Sequence, residues 1–268
     1  MATITASSVV AKPLPGTVQL KAPRSRFFLW LAVACAAIAI FGFVPTYWSQ
    51  IPAGTFVGPP LLHIHGALST AWIVFLITQT WLVSAGKIRN HRDWGLAGIA
   101  LATLVVVVGC AAAIVGLQER LARGEGDTAR AFLATPLTAM ALFAVFTAAA
   151  IACTRRPEWH KRLMLVGSIS LVNAAAARFA FLMAVGHRPG LRPGLVATPP
   201  ELMPTVVGLL LQFIVIAGMI RDKRTTGSIH PAWSVGLAVS VLALVVKVPL
   251  SHTAGWLAFA DWTAHIAA

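Results

Sequence analysis

The sequence predicts an all-α fold: a polytopic membrane bundle of about seven transmembrane helices, N-terminus cytoplasmic and C-terminus outside. Two composition features and one asymmetry lead there. No Asp, Glu, Lys or Arg stands between Arg26 and Lys87. Further uncharged runs cover 94–118, 131–154, 202–220 and 225–246. Each is longer than the 18 or so residues that cross roughly 30 Å of hydrocarbon as a helix. The third feature is that lysine and arginine collect on one side of the spans these runs define.

Taken in order, the first 26 residues are rich in Ser, Thr, Ala and Pro, basic and free of acids. They read as a disordered cytoplasmic tail in preference to an organelle transit peptide. Turn residues Pro45, Pro52, Gly54, Gly58, Pro59 and Pro60 divide the first uncharged stretch into spans near 27–47 and 60–84. The first is too long for a cleaved signal and has no convincing small-x-small site, so it reads as an uncleaved anchor. Five more spans follow near 92–117, 131–153, 160–184, 202–220 and 230–250. The fifth carries Arg178 and the seventh Lys247, so these two rest on flanking signals and hydropathy. A six-span form with the last segment on the surface is the alternative. The bundle thus covers 27–250, and residues 251–268 form an outer interfacial segment.

Fourteen Lys and Arg residues fall in the tail and in the second, fourth and sixth connections, against five on the other side. The positive-inside rule then sets the orientation. It also accounts for the net charge of +13. The basic residues are dispersed over loops and form no single footprint, which excludes a nucleic-acid partner. Cys35, Cys110 and Cys153 stand singly, without CxxC or CxxCH, and read as small buried hydrophobes. There is no Gly-rich phosphate loop, GxSxG, HExxH, paired histidine box or repeat. A histidine-metal hydrolase is disfavoured because no acid is placed as a general base; Asp93 and Glu158 read as supporting or surface groups.

Two histidines remain. His91 and His160 head helices that run in the same direction, each followed at once by Arg or Lys, and so lie at one depth. Steps of three and four from His91 give Gly95, Gly98, Ala102, Val105 and Gly109; from His160 they give Gly167, Leu171, Ala174, Ala175 and Arg178. Small faces beside two imidazoles at one level suit a planar tetrapyrrole held by two axial ligands. Arg92, Lys161 and Arg162 are the candidate partners of its propionates. The plainer reading makes the histidines interfacial anchors and the small faces ordinary helix packing. On the other side His63, His65, Arg178, Lys247 and His252 form a candidate outer pocket for an anionic group or a quinone head. Its plainer reading is an interfacial belt with Trp256 and Trp262 beyond it.

HRDWG at 91–95 and HKRLM at 160–164, with the run to Arg178, resemble an uncharacterised family of bacterial multi-pass membrane proteins. That family carries HR-x-x-G and HRRWM motifs at the heads of two helices. The resemblance covers about residues 59–184 and implies the fold and a bacterial inner membrane. The arrangement is also similar to the cytochrome b561 type, in which successive helices supply histidines to two b-type haems. On that similarity His91 and His160 match ligands of the third and fifth helices, and His63 or His65 a ligand of the second. The fourth span has no histidine, so at most one haem b is implied.

Two functional classes stay open. One is an electron-transfer protein exchanging electrons with a membrane quinone or small reductant through a haem b. The other is a non-enzymatic membrane protein, binding a small molecule or lipid, transporting, or serving an assembly, with interfacial histidines only. Neither sets an oligomeric state.

Overall fold

Lipid offers no hydrogen-bond partner, so a spanning segment must satisfy its backbone internally, and a helix does so. The computed structural model follows that rule. It describes residues 25–186 and 188–266, and among these there is no strand. Seven helical segments are long and apolar enough to cross a membrane. Residues 1–24 of the expected tail lie outside the described residues.

Helix α1 (Phe27–Phe43) runs into a π-helical turn, Val44–Trp48. Helices α2 (Pro60–Ser84) and α3 (Ile88–Ala122) follow. The fourth span is made of a short α4 (Gly126–Phe132) and α5 (Ala134–Ala152). Then come α6 (Pro157–Val185), α7 (Leu202–Thr226), α8 (Pro231–Ser251) and α9 (Ala254–Ile266). Prolines open α2, α6 and α8, where a missing N–H removes no helical bond. Gly227, at φ 77°, ends α7 in the left-handed conformation that a side chain resists.

The boundaries depart from the expected ones where helices continue into charged sequence. Helix α3 extends to both sides of 92–117, and α7 continues past Ile220 through Arg221, Asp222, Lys223 and Arg224. Arg, Lys, Gln and Glu are good helix formers, so an apolar run ends before its helix does. The last predicted span, Pro231–Ser251, is one of the seven helices long and apolar enough to cross a membrane.

Helix α6 is the hub, packing on α1, α5, α7 and α8, while α2 bridges α1 and α3 and α3 meets α5. The main core gathers Cys35, Phe146, Leu163, Val166, Ile169, Val215 and Trp233. A second core holds Trp72, Ala102, Val105 and Phe143. Trp72 also donates from Nε1 to Ser168 Oγ, 3.3 Å away on α6. Helix α9 lays Ala260 and Ala264 against Leu117, Ala129 and Leu133. It is tied there by Arg130–Asp261 at 2.8 Å and by Gln118 Nε2 donating to Ala264 O at 2.8 Å.

Consecutive crossings put the connections at Lys87, Arg155 and Gly227 at one end of the bundle, here the basic end, and those at Gly124 and Arg188 at the far end. The charge asymmetry predicts a cytoplasmic basic end. Cysteines introduced at Gly124 and Arg188 should label in intact cells, and cysteines at Arg155 and Thr225 only after permeabilisation. Labelling of positions 124 and 155 from the same side would remove this arrangement.

Candidate functional site

Parallel directions of α3 and α6 bring His91 and His160, each in a first helical turn, to one level at the basic end. The structure places them in contact: ring centroids are 6.1 Å apart with planes at 74°. His160 Nδ1 lies 2.9 Å from the carbonyl oxygen of Ala150, near the end of α5. That carbonyl makes Nδ1 the protonated nitrogen and leaves Nε2 as a lone-pair donor. His91 Nδ1 is buried without a hydrogen bond. The main chain of Gln79 on α2 stands close enough to act on the ring. The Gln79 side-chain amide is itself buried with neither polar atom bonded.

The small faces do not leave the expected clearance. A methyl group on Gly98 would run into the ring of Phe75, and one on Gly109 into the sulfur of Met140. Gly167 is met by Phe146 and Thr147 at 3.2 and 3.3 Å. Large side chains of α2 and α5 fill the grooves that small residues open, which is how helices gain contact where lipid supplies no hydrophobic drive. Only Gly95 of these has nothing within 4 Å. Ala174 is exposed, so the walk from His160 to Arg178 is not one continuous buried stripe.

Arg162 is not free for a propionate. It is buried, and its Nε and Nη2 donate to Asp222 Oδ2 at 2.8 and 2.6 Å while Nη1 reaches Glu158 at 2.5 Å. Trp233 Nε1 donates to the same Asp222 oxygen at 3.0 Å. Lys161 pairs with Glu158 at 2.6 Å and lies over Phe28. Arg92 is exposed. Asp222 was hidden in a basic run that reads as a loop. Its signal was the helical walk Leu211, Val215, Gly218, Asp222, which puts the acid on the buried face of α7. Beside this network His230 caps α8, its Nδ1 accepting the Ala232 N–H at 3.2 Å. Burial, then the Arg162 charge, holds the His230 pKa below its ordinary value, consistent with a neutral acceptor.

At the far end the expected single pocket divides in two. Arg178 turns into the bundle: Nη1 donates to Thr46 Oγ1 at 3.2 Å and the guanidinium lies 4.7 Å from the Phe43 ring centre. His65 is close enough to feel its charge, and His63 Nδ1 is 3.3 Å from the Tyr47 hydroxyl. Lys247 and His252 belong to another neighbourhood, Lys247 bonded to Thr135 at 3.1 Å and His252 to Glu201 at 3.0 Å. Thr135 also borders a space of about 10 Å³, the size of one water, with Thr138, Ser170, Asn173 and Gln212. Asn173 Oδ1 and Gln212 Oε1 are buried there without partners, so one donor to both would satisfy them. The segment 188–201 is strapped across this end. Arg192 bonds Val57 O and Glu119, Gln50 Nε2 bonds Leu191 O at 2.9 Å, and Glu125 accepts from Thr198. Burial would raise the Glu125 pKa, but the Thr198 and Arg123 hydrogen bonds outweigh it and hold the carboxyl below its usual range.

No group of three or more His, Cys, Asp or Glu placed to hold a metal occurs among the described residues. Comparison with protein families, curated proteins and solved structures finds no match.

Proposed function

We propose that this integral membrane protein carries one metal centre between the imidazoles of His91 and His160, and that it serves one-electron transfer with a membrane quinone or small reductant. The observation that carries the reading is the ring separation of 6.1 Å. With metal–nitrogen bonds of about 2 Å and each nitrogen roughly 1 Å from its ring centre, His91 and His160 would be able to hold one ion between them at a ring separation of about 6 Å. The hydrogen bond from His160 to the Ala150 carbonyl supports the same assignment, since a ligating imidazole characteristically donates its other N–H to such a group.

The shared chemistry is bis-imidazole ligation, supplied to a haem iron or to a bare ion. The separation of the two rings would suit both. The packing favours the bare ion, because Phe75 and Phe146 occupy the faces where a macrocycle would lie and Arg162 is committed to Asp222. Cuprous copper is the ion that accepts two ligands and binds imidazole. In this role His91 and His160 would hold the ion at the membrane edge, and the ion, when bound, would supply the one-electron redox chemistry.

The test is full-length protein in detergent, from haem-replete cells, reconstituted with Cu(I). One copper per chain and no Soret band are expected. His91→Ala and His160→Ala should each weaken binding by more than about 100-fold, above the range for loss of a supporting group. His230→Ala should bind as the parent does. A Soret band lost in both variants overturns the bare ion and makes the metal a haem iron. Parent protein that takes up neither copper nor haem overturns the centre. The edge-to-face pair would then be an ordinary aromatic contact in the 4.5–7 Å range.

A further inference from the structure

Helices α7 and α8 pack on each other, and at the basic end they leave a groove of about 350 Å³ between them. That volume falls within the roughly 300–1,000 Å³ of sites that hold small organic ligands. Its walls are apolar: Ile216, Met219 and Ile220 from α7, Leu237 from α8 and Ile229 from the connection between them. Ile216, Ile220 and Lys223 follow one another by steps of four and three along one face of α7, over about 10 Å. Lys223 and Arg224, in the last turn of α7, line the mouth. Both cations are exposed, and no ion pair among the described residues includes either. Other cations at this end do have partners: Arg221 reaches Asp222 at 3.5 Å and lies over Phe27, and Lys161 takes Glu158. The difference is helical phase, since Asp222, next to Lys223 in sequence, turns into the core and is spent on Arg162.

We infer that this groove binds one anionic phospholipid, with an acyl chain along Ile216, Met219 and Leu237 and the phosphate at Lys223 and Arg224. An apolar wall that ends in two unpaired cations is complementary to an amphiphile with an apolar tail and an anionic head. A soluble anion would leave the wall uncovered, and a zwitterionic lipid would bring its own cation up to Lys223 and Arg224. The first 24 residues of the chain are the wrong occupant on charge: they carry Lys12, Lys21 and Arg24 and no acid. The guanidinium of Arg224 can take two phosphate oxygens at once, while the Lys223 ammonium adds a point charge. The site is independent of the His91–His160 pair and stands or falls separately.

The experiment titrates phosphatidylglycerol and phosphatidylcholine with identical oleoyl chains into the full chain in mild detergent, and counts retained lipid by native mass spectrometry. One phosphatidylglycerol per chain is expected, preferred over phosphatidylcholine by about 25-fold, since each basic side chain near an anionic headgroup contributes a factor of about five. Lys223→Gln and Arg224→Gln should each lower the preference about fivefold, and the double variant should remove it while binding phosphatidylcholine as the parent does. Arg155→Gln with Arg156→Gln, exposed cations at the same end but outside the groove, should keep the full preference. Ile229→Trp, which fills the groove, should weaken both lipids alike. Equal retention of the two lipids by the parent overturns the proposal, and so does a preference that survives the double variant or an Ile229→Trp protein that binds like the parent. A lipid-free dimer that excludes both lipids and falls apart in Ile229→Trp overturns it too, and makes the groove an interface between two copies of the chain.

Discussion

Asp222→Ala should destabilise the protein by about 3–5 kcal/mol, the loss expected when one member of a buried ion pair is removed and the other is left charged. The side chains of Arg162 and Asp222 are 4 % and 2 % exposed, so water cannot replace the lost partner. Glu158 still touches Arg162, but it is 56 % exposed and screened. Trp233 would lose its acceptor as well, leaving its buried N–H unsatisfied. The measurement is denaturant unfolding in mild detergent, with the double variant Asp222→Ala, Arg162→Met as control. That variant should recover a large share of the loss, because replacing both charges by apolar groups is often near neutral. A single-variant loss under about 1 kcal/mol, at the level of a surface pair, would deny the pair a structural role.

Gly42→Leu should be comparably severe, at about 3 kcal/mol or more, the top of the usual overpacking range and beyond. Gly42 faces the main chain of Ala175, and a side chain there would meet the oxygen, carbonyl carbon and Cα of that residue. Backbone in the middle of α6 cannot rotate aside as the end of a long side chain can. Helices α1 and α6 would have to separate, opening the core around Cys35, Ala39 and Val172. Even Gly42→Ala meets the same atoms. Gly95→Ala is the matched control, since nothing lies within 4 Å of it and alanine is the better helix former. Equal unfolding midpoints for Gly42→Leu and the parent would show that α1 and α6 do not approach as described.

The two substitutions mark where the sequence was legible. The seven spans were readable because twenty apolar residues without a charge have one stable form in lipid, and α2 was placed at its observed bounds by Pro60 and the turn before Lys87. The shared depth of His91 and His160 followed from counting crossings. Helical spacing put Gly98, Ala102, Val105 and Gly109 on one ridge, and that ridge is buried. What filled it was not readable. Phe75 and Met140 come from other helices, and spacing along one helix says nothing of what a neighbour inserts. The same limit hid the division of the far-end cluster: Arg178 with His65, and Lys247 with His252, share an end of the bundle but different neighbours.

By itself, then, the sequence determined the solvent, the helices and the level of each polar residue, because hydropathy and the 3.6-residue period act locally along the chain. The tertiary structure decided pairing. Asp222 meets Arg162 across 60 residues, Arg192 meets Glu119 across 73, and Arg178 meets Thr46 across 132. Each of those contacts depends on which helix packs beside which. In lipid that order comes from close van der Waals fit and from the need of each buried polar group for a partner, and neither is written in the residues of one segment alone.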